Sequence, residues 1–186
     1  MLAGILPGCV TVGMFKFENR DKLALSEMSR DQAFLLFGPP RGDRTLTNDY
    51  GGFDQLLYGT SDGTHFRAML LEFRSDRLNA YEYLSTFSDD STDFDENLYK
   101  QIIAGTHTKT DVLNIMGAPH GKGLCPSALG AYEDYCDRGK EVWRWGFMSK
   151  REGPDAPTKS KEVTVIFDGN GLVVDVKSKV ESSRQN

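Results

Sequence analysis

The sequence predicts an α+β fold of two tandem α-α-β-β-β modules, each a helix pair packed on a three-stranded antiparallel sheet. Three observations carry that expectation. A capped-helix pattern occurs twice and stops both times at glycine and proline, strand-type alternation follows each copy, and Asp168-Gly169-Asn170-Gly171 has the composition of a tight hairpin turn.

In the first copy Ser29 stands where a helix N-cap would, with Gln32 three residues on, and the apolar run through Phe37 ends at Gly38-Pro39. In the second, Thr108 and Asp111 take the same places and the run ends at Gly117-Ala118-Pro119. A hydroxyl followed three residues later by an acceptor satisfies orphan amides at a helix start, and glycine followed by proline ends a helix. Residues 18–25 and 94–104 are expected to form the other helix of each pair. Downstream, Leu56 and Tyr58 align with Trp143 and Trp145, Phe73 with Phe167, and Leu78 with Leu172. The offset grows from 79 residues between the glycines to 87 and then 94 between the strands, so insertions fall in loops. Alternation in Trp143, Trp145, Phe147 and in Val163, Val165, Phe167 reads as half-buried strands, with the two tryptophans facing the helices as core.

These signals divide the chain into a leader remnant and N-terminal arm (1–17), a first module (18–88), an acidic linker (89–93), a second module (94–180) and a polar tail (181–186). In the linker, Asp93 is expected to cap the next helix, and the acidic run lacks the glycine and glutamate spacing of a calcium loop. With 39% hydrophobic and 11% aromatic residues the chain can bury a core, and its net charge of −5, without a basic stripe, argues against a nucleic-acid partner.

Met1 to Gly8 is apolar and uncharged and precedes Cys9, which resembles the end of a bacterial lipoprotein leader, with Cys9 as the lipidated residue. Pro7 and the short length depart from that pattern, so an ordinary cysteine on an apolar arm is the competing reading. Cys125 and Cys136 then remain as a pair eleven residues apart, open to two readings, a disulfide in an exported chain or two reduced thiols.

The run Thr108 to Pro119, the aromatic strand at Trp143 and Trp145, and Val165-Ile166-Phe167 before the Asp168 turn are together similar to the SmpA/OmlA domain family of the outer-membrane lipoprotein BamE. The first copy resembles it more loosely. That resemblance covers roughly residues 20 to 180 and implies a helix pair on a sheet, lipid anchoring in the periplasm and protein partners in outer-membrane assembly. Doubling departs from that single-domain pattern, and the tandem arrangement resembles the β-lactamase inhibitor proteins, whose two repeats present a concave aromatic sheet to an enzyme. That second resemblance implies an intra-repeat disulfide at Cys125 and Cys136.

Each catalytic motif fails on its context. Gly59-Thr60-Ser61-Asp62-Gly63 matches a nucleophile elbow in letters, but a strand follows it where a helix is required. Gly117 to Gly123 is one residue short of a phosphate loop and follows a helix, not a strand. His65, His107 and His120 form no metal-ligand spacing, and a Cys125 nucleophile with His120 as base lacks an orienting acid. No catalytic residue, cofactor or metal is therefore expected.

On the last strand of the first copy the alignment turns Ala80 and Glu82 inward and Tyr81 and Tyr83 outward, continuing to Phe87. That stripe is a candidate partner surface, the competing reading being that it packs on the second copy or the N-terminal arm. A register slip of one residue would exchange the faces. The expected function is that of a non-enzymatic bacterial envelope lipoprotein, a protein-binding module serving outer-membrane assembly or maintenance. Its partner would be an envelope protein, and its only membrane contact the lipid on Cys9. The alternative is a proteinaceous inhibitor of a secreted enzyme.

Overall fold

Capping chemistry forms the two helices that anchor the architecture. In a computed structural model, which describes residues 17–133, 135–136, 139–149 and 158–183, the Ser29 and Thr108 side chains each accept from the amide three residues on, and the amides of Ser29 and Thr108 donate in return to the Gln32 and Asp111 side chains. The helices are short: α1 (Arg30–Phe37) and α2 (Lys109–Met116) have eight residues each. Gly38 and Gly117 end them at φ +80° and +74°, a region side chains rarely enter.

The strands correct the expected fold class. They do not form two separate three-stranded sheets. One antiparallel sheet of eight strands runs in sequence order through β1 (Gly42–Asn48), β2 (Gly51–Ser61), β3 (Phe66–Arg74), β4 (Arg77–Ser85), β5 (Gly121–Leu124), β6 (Glu141–Met148), β7 (Thr158–Phe167) and β8 (Val173–Ser183). The two strands that sequence reading missed explain the difference. β1 reads Gly-Asp-Arg-Thr-Leu-Thr-Asn, an edge strand with one apolar residue and hence no alternation to detect. β5 is only Gly-Lys-Gly-Leu, yet it pairs Ala80 with Gly123 and Glu82 with Gly121 and so joins the halves into one sheet. The helix pairs are also absent: residues 18–25 and 94–104 give only 3-10 turns, at Phe17–Lys22 and Glu96–Gln101, the second capped by Asp95 rather than Asp93. Asp93 instead pairs with Lys161. Of the expected tail, residues 181–183 continue β8, with Glu181 opposite Ser160 and Ser183 opposite Thr158, and the rest lies outside the described residues.

Strand parity gives the sheet two faces. The near face carries both helices. Ala33 and Phe37 of α1 pack on Leu56, Tyr58, Met69, Leu71, Phe73 and Tyr83, while Val112 and Met116 of α2 pack on Trp143, Trp145, Val163, Val165 and Phe167. Cross-strand pairs through β4, β5 and β6 place Tyr81, Lys122 and Trp143 in one row, so both cores lie on the same side. Among the described residues no helix is long and apolar enough to cross a membrane.

His120, just ahead of β5, is where near-face packing meets the pH scale. Burial is the main cause that pushes its imidazole down from 6.5 to about 4, the nearby Arg20 adding to it and the Gly146 carbonyl opposing it. The fold therefore holds the neutral ring, while the unfolded chain takes up a proton below about pH 6.5. Stability is fully present above that value and is expected to fall by about 3 kcal/mol as pH drops to 4. Burial raises the Glu82 carboxyl and works in the opposite direction, so the comparison needs a variant. In His120→Asn, which keeps an acceptor for the Gly146 amide, urea midpoints at pH 7 and pH 4.5 should differ by less than in the parent chain. An equal pH response in both proteins would remove the assignment to His120.

Candidate functional site

The far face, opposite α1 and α2, is built differently. Its centre is covered by the loop that follows β5, and the stretches on either side are open. The loop includes the short helix α3 (Gly130–Glu133) and is closed by a bond between Cys125 and Cys136, whose Cα atoms lie 5.1 Å apart.

Two side chains seat that loop. Tyr132, fully buried, lies over β5 and donates its hydroxyl to the Tyr81 carbonyl at 3.0 Å. It fits because Gly121 and Gly123 occupy the two far-face positions beneath it. A Cβ on Gly121 would stand 2.3 Å from the Tyr132 hydroxyl, and one on Gly123 would stand 3.0 Å from its ring. These glycines are thus a slot, in a segment whose spacing had suggested only a helix stop. Glu72 of β3 is the second seat. Its carboxylate, wholly buried, accepts from Gln55 Nε2 at 3.0 Å, Asn79 Nδ2 at 3.0 Å, Ser127 Oγ at 2.7 Å and the Ala128 amide at 3.1 Å. A buried carboxylate is tolerated when its lone pairs are taken up in this way.

On the β6 side of the loop, Arg144 is clamped between Glu82 and Glu162. Burial alone would lower its basicity, but Glu82, with Glu162, more than offsets this and raises it. Gly146 beside it carries no side chain and leaves a depression of about 150 Å³ walled by Leu84, Met148 and Glu162. On the β1 side, Gly42, Asp43, Arg44, Gln55, Leu57 and Leu70 line a trough of about 270 Å³. Leu57 and Met148 are 47% and 41% exposed although β2 and β6 are inner strands, and Tyr50 at the β1–β2 turn is 56% exposed.

Of the residues singled out from sequence, Cys125 and Cys136 form the bond that closes this loop, and the others fall elsewhere. Cys9 lies outside the described residues. Tyr81 and Tyr83 are on the near face, one residue out of the expected register. Tyr83 is 3% exposed within the α1 core and Tyr81 packs against it, so neither forms an open stripe. Ala80 and Glu82 face the loop side instead. Phe87 is half-buried against His65 and Arg67. The acidic run folds back, Asp89 and Asp90 both pairing with Arg67. Ser61 ends β2 ahead of the β2–β3 hairpin turn, donating to the His65 carbonyl. Cys125 is bonded to Cys136 and His120 packs against Phe94 and Gly146, so they do not form a nucleophile and base. Among the described residues no group of three or more His, Cys, Asp or Glu is placed to hold a metal. Sequence reading missed Glu72, Tyr132, Arg44 and Leu57. The one available signal was the Gly121–Gly123 alternation, two absent side chains on a single face.

No protein-family model matches the chain, and no curated protein does. A solved structure does: the crystal structure at 1.40 Å resolution of a "putative beta-lactamase inhibitor protein" from Streptococcus mutans. The similarity has a TM-score of 0.52 over 86% of this chain and 91% of that one, at 16% sequence identity. Such a likeness is one of fold. It falls on the second of the two sequence resemblances, and nothing supports the SmpA/OmlA family assignment.

Proposed function

We propose that this chain is a non-catalytic binding protein that grips a secreted enzyme with the far face of its sheet, as a proteinaceous inhibitor. The observation that carries this reading is the pair of half-exposed apolar side chains, Leu57 and Met148, on inner strands of a face whose centre is locked by the Cys125–Cys136 loop. Open apolar surface on a rigid sheet is what a protein partner covers, and ordering costs little when the surface is already held. Fold likeness to a protein described as a putative beta-lactamase inhibitor makes a β-lactamase the first enzyme to try.

The test is steady-state hydrolysis of a chromogenic cephalosporin by a panel of β-lactamases, titrated with the oxidised chain. Inhibition of at least one enzyme is expected, with loss of at least tenfold in affinity for Leu57→Asp and for Met148→Asp at unchanged circular dichroism. No inhibition across the panel at about 10 µM chain would reject the β-lactamase partner. Inhibition that both variants retain would reject the far face.

A further inference from the structure

We infer that Arg44 and the Leu57–Leu70 trough form a subsite for the chain-terminal carboxylate of a peptide that ends in a large apolar residue. The inference goes beyond the enzyme-binding reading and depends only on this part of the far face being open.

The argument starts at Glu72. Its Oε2 accepts from Gln55 Nε2, which fixes how the Gln55 amide is turned and sends Gln55 Oε1 toward β1. That oxygen accepts from Arg44 Nε at 2.8 Å. A buried carboxylate thus orients a buried amide, and the amide orients an exposed guanidinium. Both Nη atoms of Arg44 remain without a carboxylate among the described residues. Of the acids nearby, Asp43 also borders the trough, but strand parity turns its side chain to the other face, where its carboxylate lies 3.7 Å from Arg30, and Glu72 is saturated by its four donors. A guanidinium already held by its Nε presents the planar fork that a carboxylate accepts bidentately, with part of the ordering cost met in advance.

The trough beside it supplies the second half. Leu57 stands across from Gly42 on one side and Leu70 on the other, so its floor is apolar and opens over the side-chain-free Gly42 toward the edge strand. At about 270 Å³ it lies below the roughly 300–1,000 Å³ of drug-sized pockets, which limits it to about one large side chain. A terminal residue carries its carboxylate and side chain on the same Cα, so one residue can fill the trough and reach Arg44 at once. Capture of a chain-terminal carboxylate is an established recognition mode.

The probe is a fluorescent peptide, Gly-Ser-Gly-Ser-Phe with a free C-terminus, followed by anisotropy against the full oxidised chain. The expected result is saturable binding that weakens at least tenfold when the C-terminus is amidated, weakens equally in Arg44→Gln, and disappears in Leu57→Asp. Gln55→Leu should lose part of the affinity, because Arg44 is then no longer held. Equal binding of the amidated peptide, or of an amidated peptide in which Asp follows Phe, would overturn the terminal-carboxylate assignment. Absence of binding to the parent chain would overturn the subsite. A chain carrying Arg44→Gln that loses the peptide but still inhibits an enzyme would leave both readings standing, which separates their failures. Arg44 and Leu57 are surface side chains, so circular dichroism should be unchanged in both variants.

Discussion

Glu72→Ala is expected to cost about 3–5 kcal/mol of stability, the largest effect of any single far-face substitution considered. The carboxylate joins β2 through Gln55, β4 through Asn79 and the disulfide loop through Ser127 and Ala128. Asn79 keeps other acceptors, the Leu124 and Pro126 carbonyls, and Ser127 can turn its hydroxyl, but the buried Gln55 Nε2 and the half-buried Ala128 N–H lose their acceptor. Each orphaned donor costs about 1–3 kcal/mol, and the cavity adds to it. Glu72→Gln, which keeps the shape and one acceptor, should cost about half as much. Urea unfolding gives the stabilities, and amide exchange at Ala128 reports whether the loop loosens first. A loss below about 1 kcal/mol for the alanine variant would show that the loop is held by the disulfide and Tyr132 alone.

The second large effect is expected at Gly121. In Gly121→Ala the new Cβ would lie 2.3 Å from the Tyr132 hydroxyl and 2.8 Å from the Tyr81 carbonyl, the two atoms whose hydrogen bond seats the loop. Overpacking against backbone cannot relax cheaply, and a loss of about 3 kcal/mol follows. The two contacts can be separated. Tyr132→Phe removes the hydroxyl and with it the closer clash, but not the contact with Tyr81. It should therefore cost about 1 kcal/mol in the parent chain and little or nothing on top of Gly121→Ala. Additive costs in that double-mutant cycle would mean that the alanine is accommodated by moving β5, not by expelling the tyrosine.

Local chemistry was legible wherever it is written in contiguous residues. Ser29 with Gln32 and Thr108 with Asp111 cap α1 and α2 in the structure as their spacing implies, and Asp168 holds its turn by accepting from the Asn170 and Leu172 amides. Trp143, Trp145, Val163, Val165 and Phe167 alternate into the near-face core. The binding surface was not legible. Placing the aromatic stripe of β4 on the open side failed because a β-bulge between Glu72 and Phe73 adds Asn79 to the strand, so counting by twos from Leu78 lands on the wrong face.

What the sequence determined alone is the set of elements with their own signature: two capped helices, the alternating strands and the hairpin turns. Tertiary structure decided how those elements join. Glycine-rich β5 has no side-chain pattern to announce a strand, and it becomes one only because β4 and β6 offer it hydrogen-bond partners on both sides. That pairing merges two expected modules into one sheet. It also creates the slot for Tyr132 and leaves the far face as the surface on offer, since burial there depends on residues more than fifty positions apart, as Glu72 and Ser127 are.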